Sequence, residues 1–245
     1  MAFNLFNESS NPVLKQSVLD NSRDISRSNS MTAAGAVNKT LVLGVLLLAG
    51  AIIGWTFPNK LFFIPAAIAG LVLVLIATFK KEWSPIIAPI YALVEGVFVG
   101  AVSLMYASLF DGIIFHAVSL TIGVLFLMLF LYKAKIIEVT QRLRSVIMMA
   151  TGAIMLTYLV SFVLSFFNIQ VPMIHSTGWL GIGFSLVVVV IASLNLLLDF
   201  DFFEKGEQAG LPKYMEWFAG MGLMITLVWL YLEILRLLSK ISSRD

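Results

Sequence analysis

Cysteine is absent, and histidine occurs only as His116 and His175. The first absence excludes disulfides, thiolate nucleophiles and cysteine-type zinc sites, and it does not speak to compartment. The second leaves too few imidazoles for a histidine-rich metal site. Charge is scarce: Asp, Glu, Lys and Arg make up 12% of the 245 residues, where a soluble domain carries about 25%. The net charge of +2 does not indicate a nucleic-acid partner. No HExxH zinc motif and no GxxxxGK phosphate loop occurs. Gly183-Phe184-Ser185 has the first half of a serine-hydrolase elbow, but Leu186 stands where the second glycine belongs, and the elbow needs a strand-to-helix turn. An intramembrane aspartyl protease needs two helical Asp and a Gly-x-Gly-Asp run, which is also missing. His116 has no evident Ser or Asp partner. The expectation is a non-enzyme without a cofactor.

An early apolar block after a basic start is missing too, so no cleavable signal peptide is expected. Residues 1–38 are polar and rich in Ser and Asn, and read as an N-terminal cytoplasmic tail with room for a short amphipathic helix around Pro12–Leu19.

Hydrophobicity is what the chain has in excess. Apolar residues make up 60% of it and the mean hydropathy is +0.96, more than one water-facing core can hide, so lipid must solvate much of the surface. A spanning helix needs roughly 20 mostly apolar residues. Seven fit: Lys39–Phe57, Leu61–Phe79, Pro85–Leu109, Gly112–Tyr132, Ser145–Phe167, Trp179–Asp199 and Met215–Leu238. The fold expected is all-α, a polytopic integral membrane protein with seven transmembrane helices over residues 39–240 and a short tail over 241–245. Phe200 to Tyr214 reads as a polar hairpin loop, with Asp201 and Glu204 as solvated charges.

Twelve of the sixteen Lys and Arg fall on the side of the N-terminus: Lys15, Arg23, Arg27, Lys39, Lys80, Lys81, Lys133, Lys135, Arg142, Arg144, Lys205 and Lys213. The positive-inside rule then puts the N-terminus in the cytoplasm, and the expected location is the cell (inner) membrane. Arg236, Lys240 and Arg244 dissent at the far C-terminus. Trp55, Trp83, Trp179 and Trp217 all fall at helix ends, where an amphipathic ring suits the headgroup layer; Trp229, inside helix seven, reads as packing. Gly96-xxx-Gly100 is a small-residue pattern that lets helices approach closely, and packing is its ordinary meaning.

Ionisable groups in hydrocarbon are costly, from about 2.5 kcal/mol upward, and therefore mark candidate sites. Four carboxylates qualify, with Asn195 as a polar neighbour. Glu95 lies about 15 Å into helix three, too short a side chain to reach water. Asp199 ends helix six, where the helix dipole disfavours a carboxylate and a cation, a proton or a basic residue should compensate; Asn195 is one turn back on the same face. Glu216 starts helix seven, where a carboxylate is favourable, and the hairpin would return it toward Asp199. Glu233 is about 24 Å from Trp217 along the helix, with Arg236 placed to pair with it.

Four runs carry a family resemblance: Gly35-Ala36-Val37-Asn38-Lys39-Thr40, Tyr91-Ala92-Leu93-Val94-Glu95-Gly96, Leu198-Asp199-Phe200-Asp201 and Leu230-Tyr231-Leu232-Glu233-Ile234-Leu235. In this order, over about residues 31–245, the chain resembles the Bax inhibitor-1 (transmembrane BAX inhibitor motif) family, in its bacterial branch. The resemblance implies a pH-governed cation leak, for Ca2+, in which two carboxylates on helices six and seven share a proton and their ionisation favours the open state. Asp199 corresponds to the helix-six member. For helix seven both Glu233, by its local pattern, and Glu216, by its depth, remain open, and either is a Glu where the family carries Asp. The Asp199–Glu216 pair would be the Ca2+ ligands. Beyond the bilayer and Ca2+ or H+, no partner is indicated. Two other readings stay open: a proton-coupled transporter of a small solute centred on Glu95, and a non-conducting interaction or stress protein in which the carboxylates are structural.

Overall fold

The computed structural model describes residues 29–57, 60–169, 171, 174 and 176–243. Seven long helices follow in order: α1 Ala33–Thr56, α2 Lys60–Phe79, α3 Ser84–Ala107, α4 Ile113–Lys133, α5 Gln141–Ser165, α6 Trp179–Gln208 and α7 Met215–Ser242. Six of them are long and apolar enough to cross a bilayer, and Pro65–Phe79 of α2 is a shorter apolar helix. This is the polytopic all-helical membrane fold expected of the hydropathy.

Several boundaries differ from expectation by a turn or more. The first helix begins at Ala33 because Thr32 caps it, its hydroxyl accepting from the N–H of Gly35 at 2.9 Å. The tail expected over residues 1–38 thus ends in a helix start; its possible short helix around Pro12–Leu19 lies outside the described residues. The sixth helix runs past Asp199 to Gln208, so the polar hairpin shrinks to the turn between Gln208 and Met215, with Gly210 at a positive φ of 62°. The seventh helix continues to Ser242, beyond Leu238.

Helix α7 is the axis of the bundle. It packs against α1, α3, α4 and α6, while α2 leans on α3 and α5 on α6. Its two ends and its middle are buried together, from Met215 and Glu216 through Met224 to Leu235 and Lys240. The outer helices turn their large apolar side chains outward, as Leu41, Val45, Leu48 and Ile52 do on α1 and Phe115, Phe126 and Phe130 on α4. In lipid such exposure costs nothing; in water it would aggregate. Trp55, Trp83 and Trp179 are exposed at helix ends, while Trp217 is half-buried with the Lys39 ammonium 4.7 Å from its ring centre. Trp229 lies inside the bundle as expected, but its Nε1 is buried without a hydrogen-bond partner among the described residues.

The tightest contact joins α1 to α3, where glycines interlock. A side chain at Gly50 would come within 2.3 Å of the Leu93 carbonyl oxygen, and one at Gly96 within 2.2 Å of the Leu47 carbonyl oxygen. Gly54 and Gly100 repeat this one turn on, at 2.1 Å from the carbonyls of Val97 and Ala51. The packing reading of Gly96-xxx-Gly100 holds, and its partner is Gly50-xxx-Gly54.

Gly50→Leu or Gly96→Leu must therefore separate two backbones, and should destabilise the protein in detergent by about 1–3 kcal/mol or more. Gly183→Leu, where a side chain meets nothing within 4 Å, should leave the melting temperature near wild type in the same thermal scan.

Candidate functional site

Helices α6 and α7 run antiparallel and meet along one polar seam. At one end Asp199 faces Gly222, and at the other Lys240 reaches back to Gly181 and Ser185. Among the described residues no hydrogen bond joins any two of the four candidate carboxylates, and Glu216 and Glu233 are bonded elsewhere.

Asp199 sits in the seam. A Cβ at Gly222 would stand 4.0 Å from its Oδ1. Thr226, one turn further, is its polar neighbour, although that hydroxyl also donates to the Gly222 carbonyl at 3.3 Å. The second carboxyl oxygen, Oδ2, is buried and accepts no hydrogen bond among the described residues. Gly222 also borders a cavity of about 60 Å³, lined by Val74, Ala77 and Thr78 of α2 and by Phe218, Met221 and Ile225 of α7.

Glu216 does not share this site. Its carboxylate takes the Thr32 N–H and hydroxyl at 3.0 Å each, and the Lys213 ammonium at 2.7 Å. It lies about 9 Å along α7 from Gly222. Bound at the positive N-terminal end of α1, it is a buried anchor only 1% exposed. Glu207 adds a second contact there, accepting from the Ala33 N–H at 3.3 Å. The backbone closes the clasp, with the Met31 N–H on the Leu211 carbonyl at 2.6 Å and the Lys213 N–H on the Asn29 carbonyl at 3.0 Å. The Asp199–Glu216 pair expected to hold Ca2+ is thus not assembled, and the described residues contain no cluster of three or more His, Cys, Asp or Glu suited to a metal.

Glu233 is also engaged elsewhere. Arg236 donates to its two oxygens at 2.9 and 3.0 Å, and Tyr158 of α5 donates to the same two at 2.9 and 3.0 Å. The Arg236 guanidinium further donates to the Tyr158 hydroxyl at 2.7 Å. This triad, with Glu233 2% exposed, ties α5 to α7 and matches the pairing that the three-residue spacing suggested. Neither glutamate of helix seven is therefore in position to share a proton with Asp199.

Glu95 is half-buried in α3 and faces α2: a side chain at Gly70 would lie 2.6 Å from its Oε2. It accepts no hydrogen bond and joins no ion pair among the described residues; its nearest charged-capable neighbour is Tyr91, one turn back. Asn195 turns to α5, donating to the Thr151 hydroxyl at 2.8 Å and to the Ile191 carbonyl at 2.9 Å.

Sequence reasoning missed the charges beyond Asp199. Asp201 is buried, paired with Arg144 of α5 and with Lys205 one turn on, and the Tyr132 hydroxyl of α4 donates to Glu204 at 2.6 Å. Asp201 is thus a buried pin between α6 and α5 and not a loop charge, whereas Glu204 stays exposed, on a helix and not in a loop, with its bond to α4. The four-residue spacing of Asp201 and Lys205 was the available signal.

The model of the family described as Bax inhibitor 1 like matches residues 11–243. The chain belongs to the Bax inhibitor 1 like family. No curated protein matches it. Within this Bax inhibitor 1 like chain, membership covers the whole bundle, and the conspicuous local feature is an acid in the α6–α7 seam with an unpaired oxygen.

The triad yields its own prediction. Arg236→Met leaves the Glu233 carboxylate buried without its counter-charge and should cost about 3–5 kcal/mol. Glu233→Gln combined with Arg236→Met should recover much of that loss in the same thermal-denaturation assay.

Proposed function

We propose that the protein is a pH-sensitive cation leak pathway, with Ca2+ as the ion and Asp199 as the gating acid, in the inner membrane with its N-terminus in the cytoplasm. The observation that carries this reading is the buried Asp199 Oδ2, which accepts no hydrogen bond among the described residues. A carboxylate with one oxygen left without a donor in a membrane interior is expensive to charge. Proton loss from Asp199 therefore favours a different α6–α7 arrangement, one that admits water or a cation to it, and the ligand shifts a two-state equilibrium by that difference alone. The cavity of about 60 Å³ behind Gly222 supports an approach to Asp199 from the end where the basic residues gather. Ca2+ takes six to eight oxygens; one carboxylate with a hydroxyl suits an ion in passage that keeps most of its water. Glu216 and Glu233 act here as anchors of α7, so the gate is a single acid rather than a proton-sharing pair. No catalysis is assigned.

Glu95 favours a second reading. A carboxylate without donors, beside Gly70 in mid-membrane, suits a proton-coupled transporter of a small solute. Saturable uptake of such a solute, abolished in Glu95→Gln and kept in Asp199→Asn, would select it.

Purified protein in liposomes loaded with a Ca2+ indicator should leak more as pH rises, because deprotonation opens the seam. Asp199→Asn should hold the leak low, by roughly tenfold at the upper end of the range, a shift of about 1.4 kcal/mol in the equilibrium, and flatten the pH profile. A profile identical to wild type in Asp199→Asn would remove Asp199 from gating.

A further inference from the structure

The end of the bundle away from the basic loops contains a second polar site, which the leak reading does not use. A cavity of about 250 Å³ opens there between the segment preceding α6 and the last turns of α7, lined by Tyr106, Ile174, Thr177, Arg236, Ser239, Lys240 and Ser243. Among the described residues its charge is unbalanced. Lys240 is 5% exposed, yet its ammonium meets only neutral acceptors, the Gly181 carbonyl at 2.9 Å and the Ser185 hydroxyl at 2.8 Å. No carboxylate lies within ion-pair distance of it among the described residues. An ammonium has three N–H donors, so one is unspent. Arg236 commits Nη1 to Glu233 and Tyr158, which leaves the other donors of its five-donor fork. The Glu233 carboxylate, the nearest negative charge, is already taken by Arg236 and Tyr158. Among the described residues, two cations and one engaged carboxylate leave this corner with an excess positive charge.

A buried cation without a counter-charge is costly, and the hydrogen bonds that an oxyanion makes to ammonium and guanidinium donors are among the stronger kind. We infer that this cavity is a binding site for a small oxyanion, a phosphate or carboxylate group, held by Lys240 and Arg236. Thr177, just ahead of α6, also lines the cavity. The volume suits a single phosphate-sized or short carboxylate group, not a nucleotide. Such an occupant would join the start of α6 to the end of α7, at the far end of the seam that contains Asp199. The phosphate chemistry has two sources, a free anion in the aqueous phase or the phosphodiester of an anionic lipid at the headgroup level.

The test uses the full-length protein. In detergent, inorganic phosphate is compared with chloride at equal ionic strength by thermal shift and by titration calorimetry. In nanodiscs of phosphatidylcholine with added phosphatidylglycerol, retained lipid is read by native mass spectrometry. Wild type should bind phosphate, or retain phosphatidylglycerol, with at least about tenfold preference over Lys240→Gln, the loss of one charge-assisted contact. Lys240→Arg, which preserves the charge, should keep binding; this guards against a Gln variant that merely folds poorly. Phosphate binding that depends on Lys240 supports the site with a soluble anion as occupant. Lipid retention that depends on Lys240, without phosphate binding, supports it with a lipid headgroup as occupant. Neither ligand bound by wild type, or both bound equally by Lys240→Gln, overturns it.

Discussion

A charge inside a bilayer has no water to fall back on, and the architecture of this protein follows from where each such charge finds a partner. Helix α7 contains the problem in concentrated form, since it is buried along its length and holds Glu216, Glu233, Arg236 and Lys240. Glu216 is answered at one end by Lys213 and the first turn of α1. Glu233 is answered toward the other end by Arg236 and Tyr158. These contacts bind α7 to α1 and α5 through charge-assisted hydrogen bonds, while glycine interlocking binds α1 to α3 through close backbone approach. The bundle is thus fixed at its ends, and the unanswered groups lie between and beyond those anchors.

Asp199 is the exception that gives the fold a function to argue about. Gly222 lies beside its side chain, and Thr226 is a neighbouring hydroxyl. A larger residue at Gly222 would fill the seam, and an amide at position 199 would remove the cost of charging it. The anchors above and below mean that any rearrangement admitting water to Asp199 must be local to the middle of α6 and α7, against ends that stay clasped. A small local opening in a close-packed interface is a two-state event rather than a continuous deformation.

Much of the fold was legible because hydropathy in a membrane protein is a direct readout of the solvent. The seven apolar runs, the tryptophans at helix ends and the Gly96–Gly100 pattern all reappear. What hydropathy misread were charged stretches that are helical. Asp201, Glu204, Lys205 and Glu207 look like a loop when counted as polar residues, but Glu204, Asp201 and Glu207 find partners on α4, α5 and α1, far away in sequence, and Lys205 pairs with Asp201 one turn back. The start of α1 was hidden for the same reason, its polar flanks outweighing the Thr32 cap. At the site, the sequence located Asp199, Glu95, Glu216 and Glu233 by the cost of burying them. It could not say which pairs meet, because that depends on the rotation of α7 about its axis. The expectation of two acids sharing a proton gave way to one acid facing a glycine, and the Glu233–Arg236 pairing, set by spacing within one helix, was readable in advance.

The central claim is that Asp199 stays protonated in the closed bundle and loses its proton as the seam opens. Infrared difference spectroscopy of the reconstituted protein across a pH series measures that proton directly, through the carbonyl stretch of a protonated carboxylic acid. The account predicts a band from an acid in apolar surroundings that fades as pH rises in step with the appearance of flux, and that is missing from Asp199→Asn. A band unchanged by that substitution, or a flux that rises with no change in it, would contradict the account.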